Sequence, residues 1–563
     1  MKNRLKRIIS GLLALTMALA LIPISTIVRF GVKAEAAADW TVPEGYNAHD
    51  YEKCVEFLEQ TDANGVKNGA KLSESYDPND PSTWGTFVIE PRFGWTETEG
   101  ELRLKSVQLY LRDLYGCLDL SDCTALEELH CDANSLTELN VSNCTALWYL
   151  NCSSNGLNEL DVSSCAAIEY ISCTSTGLTE LDVSNNAALY SLYCNKNSLT
   201  ELNLSNNAAL EVLNCSENSI SELDFSGCPA LESLNCSANL LTELDVSAYP
   251  QMVLLNCASN GISELNVSNN TRLRTLNCAS NAISELDVSR HTALWELNCS
   301  SNAIRELNVS NCTLLKKLNC ASNAICELDL SNKTALEEAR CNGNALSALE
   351  VSHCAVLWFL DCSSNGLAEL KVFDDPALGY LFCSHNELAE LDVSGCAALR
   401  FLDCKSNKLT ELELGSNHYL GYDHVKTSGN GLIGYDYRGY YGFICAYPVN
   451  GSTFEGFFDE NGNLISKPMW NDEYGAYAYQ FYSLYYGDPA GTIIARFSGF
   501  DYIPGDVDES GGVTVADAIT TMRIAMSIID GSGLNTDAAD MDGNGSITIS
   551  DAIAIMRIAM GLV

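Results

Sequence analysis

Between about residue 105 and residue 415, apolar and polar positions follow a fixed beat of twenty-one residues. Cysteine stands at every twenty-first position from Cys131 to Cys404, fourteen times in phase. Three residues after each comes an asparagine, from Asn134 to Asn407, replaced only by Thr176. An L-x-x-L pair such as Leu147 and Leu150, or an apolar equivalent, precedes each cysteine. An apolar residue follows it, and then a phrase like Leu160-Asp161-Val162-Ser163. The L-x-C run alternates with period two, which predicts a short strand with one buried face. Stacked turns set these strands parallel. No turn can bury its core alone, so stability comes from stacking. Fourteen strands at about 4.8 Å predict an array roughly 65 Å long. Each asparagine is placed to pair backbone groups of the turn, because buried polar groups need partners.

The flanks break the beat. Residues 37–104 predict an N-terminal cap, with Tyr51, Cys54, Val55 and Leu58 as a helical stripe behind an Asn47 cap. Residues 416–500 are rich in tyrosine and predict a small β module, with Asn461-Gly462 as a hairpin signal. At the N-terminus, Lys2, Arg4, Lys6 and Arg7 precede an apolar run and the small-x-small triplet Ala34-Glu35-Ala36. That pattern predicts a signal peptide over residues 1–36, and hence a secreted chain with no membrane anchor after cleavage.

The unit L-x-x-L-x-C-x-x-N-x-L-x-x-L-D-V-S resembles bacterial leucine-rich repeats, the internalins among them, with cysteine in a usual leucine place. The resemblance implies an α/β-type repeat solenoid: parallel strands, with short turns or 3-10 segments on the convex side. Residues 416–500 resemble the divergent B-repeat of internalin-like proteins, which implies a spacer or cap.

Charge narrows the partners. With 73 acidic and 32 basic side chains the net charge is −41, a field that repels phosphate backbones and argues against nucleic acid. The 25 cysteines would suggest disulfides in an exported protein. Their spacing suggests instead a packing ladder of mostly reduced thiols, since cysteine is a readily buried small hydrophobe. A second column, Cys123, Cys144, Cys165, Cys228, Cys312, Cys354 and Cys396, alternates with Asn186, Asn207 and Asn270. It reads as a turn position, and C-x-x-C pairs with zinc spacing are absent.

Side chains flanking the buried leucine and cysteine face outward, where repeat proteins usually bind. Asn235, Asn256 and Asn277 belong to an amide ladder in mid-array, with Trp148, Tyr149, Tyr170 and Tyr193 near its start and Trp358, Phe359, Tyr380 and Phe382 near its finish. Such a surface suits a glycan or an extended protein segment. The alternative is that the asparagines bond each other and the aromatics pack against the caps. Asp361 and Asp403 share a column two turns apart, about 10 Å. That spacing carries the alternative of a glycosidase, whose carboxylates stand roughly 5–9.5 Å apart. With no nucleophile motif or phosphate loop, the expected class is a non-catalytic binding protein.

The C-terminus holds two twelve-residue loops with hard oxygen donors at calcium spacing. Their predicted ligands are Asp506, Asp508, Ser510, Gly512, Thr514 and Asp517 in the first, and Asp540, Asp542, Asn544, Ser546, Thr548 and Asp551 in the second. Two calcium ions are expected. Each loop leads into Asp-Ala-Ile, three residues, then Met-Arg-Ile-Ala-Met, and the copies start 34 residues apart. Residues 503–563 resemble a type I-like dockerin of cellulosomes. The resemblance implies a cohesin module of a scaffoldin as partner, an extracellular place on a scaffold, and a context of polysaccharide degradation. It also implies partner contacts at Val515, Ala516, Met522 and Arg523, and at Ile549, Ser550, Met556 and Arg557, with either copy able to dock.

Overall fold

The structure is a computed structural model whose described residues are 40–87, 90–372 and 375–409, followed by strand segments between 425 and 498 and helical segments between 507 and 559. The expected signal peptide lies outside the described residues. Among the described residues no helix is long and apolar enough to cross a membrane.

The repeats form a parallel-strand solenoid of about fourteen turns. Each turn contributes one three-residue strand, such as Tyr149–Asn151 or Ser233–Asn235, and register advances by one repeat per strand. Leu213 pairs with Leu234, and Leu234 with Leu255. The strand's central residue, leucine except at Ile171 and Ala339, and the ladder cysteine point inward, and both are fully buried throughout the array. Behind the strands the chain returns through turns, with short parallel strand pairs at Tyr115–Asp119/Ser135–Asn140 and Ala348–Glu350/Glu369–Lys371, and among the described residues of the repeats no 3-10 segment occurs. Asp161 accepts the backbone N–H of Ser163 at 2.9 Å, so the recurrent Asp-Val-Ser phrase is a side-chain-closed turn.

The ladder asparagine closes each turn internally. Asn239 Nδ2 donates to the carbonyls of Cys215 and Cys236 at 3.0 and 3.1 Å, while its Oδ1 accepts the N–H of Ile220 at 3.0 Å. At the exception, Thr176 Oγ1 donates to Cys173 O at 2.8 Å, and Asn197 Oδ1 accepts from the backbone amides of residues 176, 177 and 178 at 2.9–3.1 Å.

Both ends of the sheet are covered. The hairpin Phe93–Thr98/Glu101–Gln108 lies before the first turn, its second strand parallel to Glu128–His130. That strand runs across residues 104 and 105, so cap and repeats share one sheet. The helix Ala48–Leu58 buries Tyr51, Cys54, Val55 and Leu58 against it, and Asn47 Oδ1 accepts the Asp50 N–H. At the far end Phe401–Asp403 pairs with Val425–Lys426, and the sheet turns antiparallel through Ile433–Arg438, Tyr441–Ala446 and Ala476–Tyr482. Thr453–Phe458 and Leu464–Ser466 are antiparallel neighbours on either side of Asn461-Gly462. Open sheet edges invite unwanted pairing, and these segments remove them.

Candidate functional site

The front of the sheet carries the repeat-face candidates. Tyr149 and Tyr170 are register neighbours, their rings parallel within 3° at 4.5 Å, and His130 stacks on the other face of Tyr149 at 4.4 Å. Tyr193 leans on Tyr170 at 5.6 Å. Ring faces in this row are therefore spent on one another, and edges and hydroxyls point forward. Burial and the neighbouring Tyr170 push the Tyr149 hydroxyl up to about 12. Trp148 sits beside the row, more than a third exposed, and Tyr190 is nearly half exposed.

At the far end Trp358, Phe359, Tyr380 and Phe382 form a second cluster with Phe401, and Arg340 lies 4.4 Å over the Phe359 ring. Between the clusters the amide ladder is in register from Asn214 to Asn319. Its oxygens are committed locally: Asn235, Asn256 and Asn277 each accept the N–H of the residue two positions on. The asparagines close their own turns more than they bond each other. Trp295, exposed and under the Arg274 guanidinium at 5.2 Å, escaped the sequence reading because no second aromatic stands near it in the chain.

The acid pair is poorly arranged for hydrolysis. Phe382 stands between Asp361 and Asp403 in the register. Asp361 accepts the Ser363 N–H and hydroxyl, and Asp403 is buried with the Lys405 ammonium 3.8 Å away.

The second column is a row of donors. Cys144 Sγ, Asn186 Nδ2, Tyr249 Oη and Lys333 Nζ each donate to the carbonyl twenty-four residues earlier. His291 Nε2 meets Val267 O in the same way. The His49, Asp50 and Cys123 donors come within 4.8 Å of one another, but Asp50 is already held by the Arg103 guanidinium and the Leu104 N–H.

In the C-terminal module the helices Val515–Ala525 and Ile549–Ala559 pack around Val507, Ala518, Ala539 and Ile555. Asp551, at loop position twelve, is buried and turned back into its loop. Its carboxylate accepts the N–H groups of Met541 and Thr548 and the Thr548 hydroxyl at 2.7–2.9 Å. A buried carboxylate at that position, in a loop otherwise furnished with oxygen donors, fits calcium. Asp506, Asp508, Ser510, Gly512, Thr514, Asp540, Asp542, Asn544 and Ser546 lie outside the described residues, as do the side chains of Asp517 and Ser550.

Of the predicted partner contacts, Val515, Ala516, Arg523, Ile549 and Arg557 are exposed. Met522 is half-buried, and Met556 packs partly against the core. Ile519 and Ile553, about half exposed, extend each helix's apolar stripe by one turn. The i, i+4 spacing from Val515 and Ile549 was the signal that could have found them.

Comparisons with known proteins agree with this anatomy. A family model for leucine-rich repeats (two copies) matches residues 208–249, and one for the type I dockerin domain matches residues 504–558. The chain is similar to the functional domain of InlJ from Listeria monocytogenes, a structure described as including a cysteine ladder. The two share 31% identity over 67% of this chain and 87% of that one, with a TM-score of 0.54. It is also similar to a leucine-rich-repeat protein of Leptospira interrogans, at 20% identity over 52% of this chain and 90% of that one, with a TM-score of 0.42. A search of curated proteins finds no match.

Proposed function

The chain belongs to the internalin-like leucine-rich-repeat proteins and carries a type I dockerin; on that footing we propose that it is a secreted, non-catalytic binding subunit, attached by its dockerin to a cohesin of an extracellular scaffold. The carrying observation is the dockerin itself: two helices with one repeated phrase, each presenting an exposed apolar stripe beside an exposed arginine. Arginine beside desolvated apolar side chains is what protein interfaces favour. Two calcium ions would be held by Asp506, Asp508, Ser510, Gly512, Thr514 and Asp517, and by Asp540, Asp542, Asn544, Ser546, Thr548 and Asp551. Bound there, calcium supplies the charge that draws these carboxylates together and so couples metal binding to folding. The cohesin would rest on Val515, Ala516, Met522 and Arg523, or on Ile549, Ser550, Met556 and Arg557. The repeats are the part that meets a ligand, in a setting of polysaccharide breakdown.

Calorimetry with a type I cohesin tests this. In calcium, Arg523→Asp and Arg557→Asp should each retain binding through the other face, and the double variant should lose at least about a hundredfold, since interface arginines are frequent hot spots. Full affinity in the double variant would refute the assigned faces. Absence of any binding by the wild type would refute the attachment itself.

A further inference from the structure

The outward positions of the sheet do not share the charge of the chain. Each turn presents three: the first and third strand residues and the residue after the cysteine. From Tyr149 to Ala279, seven turns, none of these positions holds Asp, Glu, Lys, Arg or His. The lane is bounded by Glu128 and Asp132 on one side and by Glu296 on the other. It is built of tyrosine, asparagine, serine and threonine, with Val212, Leu254, Ala258 and Ala279 the apolar exceptions, and Ser172, Ser191, Ser216, Ala258 and Ala279 are buried beneath their neighbours. On the return side of the turns, by contrast, an exposed glutamate recurs at every twenty-first position from Glu138 to Glu327. In a chain of charge −41, a charge-free strip some six strand spacings long, roughly 29 Å, is a segregated surface.

We infer that this lane seats an extended, neutral, β-linked polysaccharide running along the solenoid axis. The inference deepens the reading of the repeats as the ligand-binding part. Asn214, Asn235, Asn256 and Asn277 turn their oxygens to their own backbone, which leaves amide N–H donors for ligand oxygens, one of Asn256's two also reaching Ser237 Oγ at 3.4 Å. Hydroxyls of Ser233 and Thr275 add mixed donor–acceptor groups, as a polyhydroxylated chain requires. Along one edge the exposed rings of Trp148 and Tyr190 stand two turns apart, about 10 Å, the distance over which an extended β-linked chain repeats its disaccharide. Glu169, Glu211 and Glu232 share that edge column against the single cation Arg274 in the seventh turn, which is drawn over Trp295, so the edge is net acidic and repels polyanions. A protein ligand is disfavoured because protein interfaces centre on desolvated apolar and aromatic side chains, and this lane is mostly small and polar.

Affinity electrophoresis of the full chain in native gels containing hydroxyethylcellulose, glucomannan or polygalacturonate tests the inference, with a cohesin gel shift run on each sample. The wild type should be retarded by at least one neutral polymer and not by polygalacturonate. Trp148→Ala/Tyr190→Ala and the near-isosteric Asn235→Asp/Asn256→Asp should each weaken retardation at least tenfold, and Trp358→Ala should not. Loss of the cohesin shift would count against the attachment alone. An intact shift with no retardation by either neutral polymer, equal retardation by polygalacturonate, or retardation unchanged in both double variants would overturn the lane.

Discussion

Fourteen turns repeat one backbone strain that no residue type announces. The second residue after the ladder cysteine takes the left-handed conformation, with φ between +52° and +57° at Ser154, Lys196, Glu217, Ala238 and Ser301 alike. Only Gly343 relieves it with glycine, at φ +66°. A non-glycine residue there costs about 1–2 kcal/mol, and glycine returns about 0.5–1 through its freer unfolded chain. Ala238→Gly should therefore stabilise by about 0.5–1 kcal/mol in chemical denaturation, and a loss of stability would contradict the strain. The ladder asparagine carries more. Asn239→Ala strands two carbonyls and one N–H in a buried turn, so a loss of about 3 kcal/mol or more is expected in the same measurement. His291 adds a pH dependence. Burial lowers its pKa, outweighing the backbone hydrogen bonds at Val288 and Val267 and the Asp287 charge, so folding favours the neutral ring. Unfolded, it takes a proton near pH 6.5. Its contribution is thus whole above that pH and is lost as pH falls through the folded value. Asn occupies the same column at Asn186, Asn207 and Asn270, so His291→Asn should flatten the fall in stability between pH 7 and 5 relative to wild type. An unchanged slope would assign the acid sensitivity elsewhere.

At the scale of elements, the cysteine ladder is core. Burial pushes the Cys173 and Cys215 thiols up to about 12, and the attacking species is the thiolate. Native protein should release ladder thiols to a thiol reagent only with denaturant, while exposed Cys326 reacts at once. Cys326→Ser should remove one fast thiol, and rapid reaction of the ladder would contradict its burial. This strand-and-turn architecture was legible because leucine, cysteine and asparagine recur by residue type. So was the Asn47-capped helix. The second column was half legible. Cysteine, asparagine, tyrosine, histidine and lysine share no hydropathy, only a hydrogen-bond donor long enough to reach one carbonyl. The left-handed position stayed invisible for the same reason: a backbone angle tolerated by serine, lysine and alanine leaves no mark in composition. The stacking of Tyr149 on Tyr170 is set by strand register and rotamer together, and sequence supplies only the register.

For the whole molecule, the solenoid is a capped, one-dimensional rod with charge sorted by face, and the C-terminal module is its proposed attachment. Neighbour-only stacking means that the repeats can present a long, flat surface without a closed pocket. On the proposed reading the dockerin depends on metal, because its loop carboxylates would repel one another until calcium joined them. The central claim is that this rod is held on a scaffold by a calcium-dependent partner. Light scattering of the full chain mixed with a type I cohesin, after gel filtration in millimolar calcium, tests it most directly. The expected result is a one-to-one complex that dissociates into its components when EGTA is added. A chain that elutes alone in calcium, or a complex indifferent to EGTA, would contradict the account.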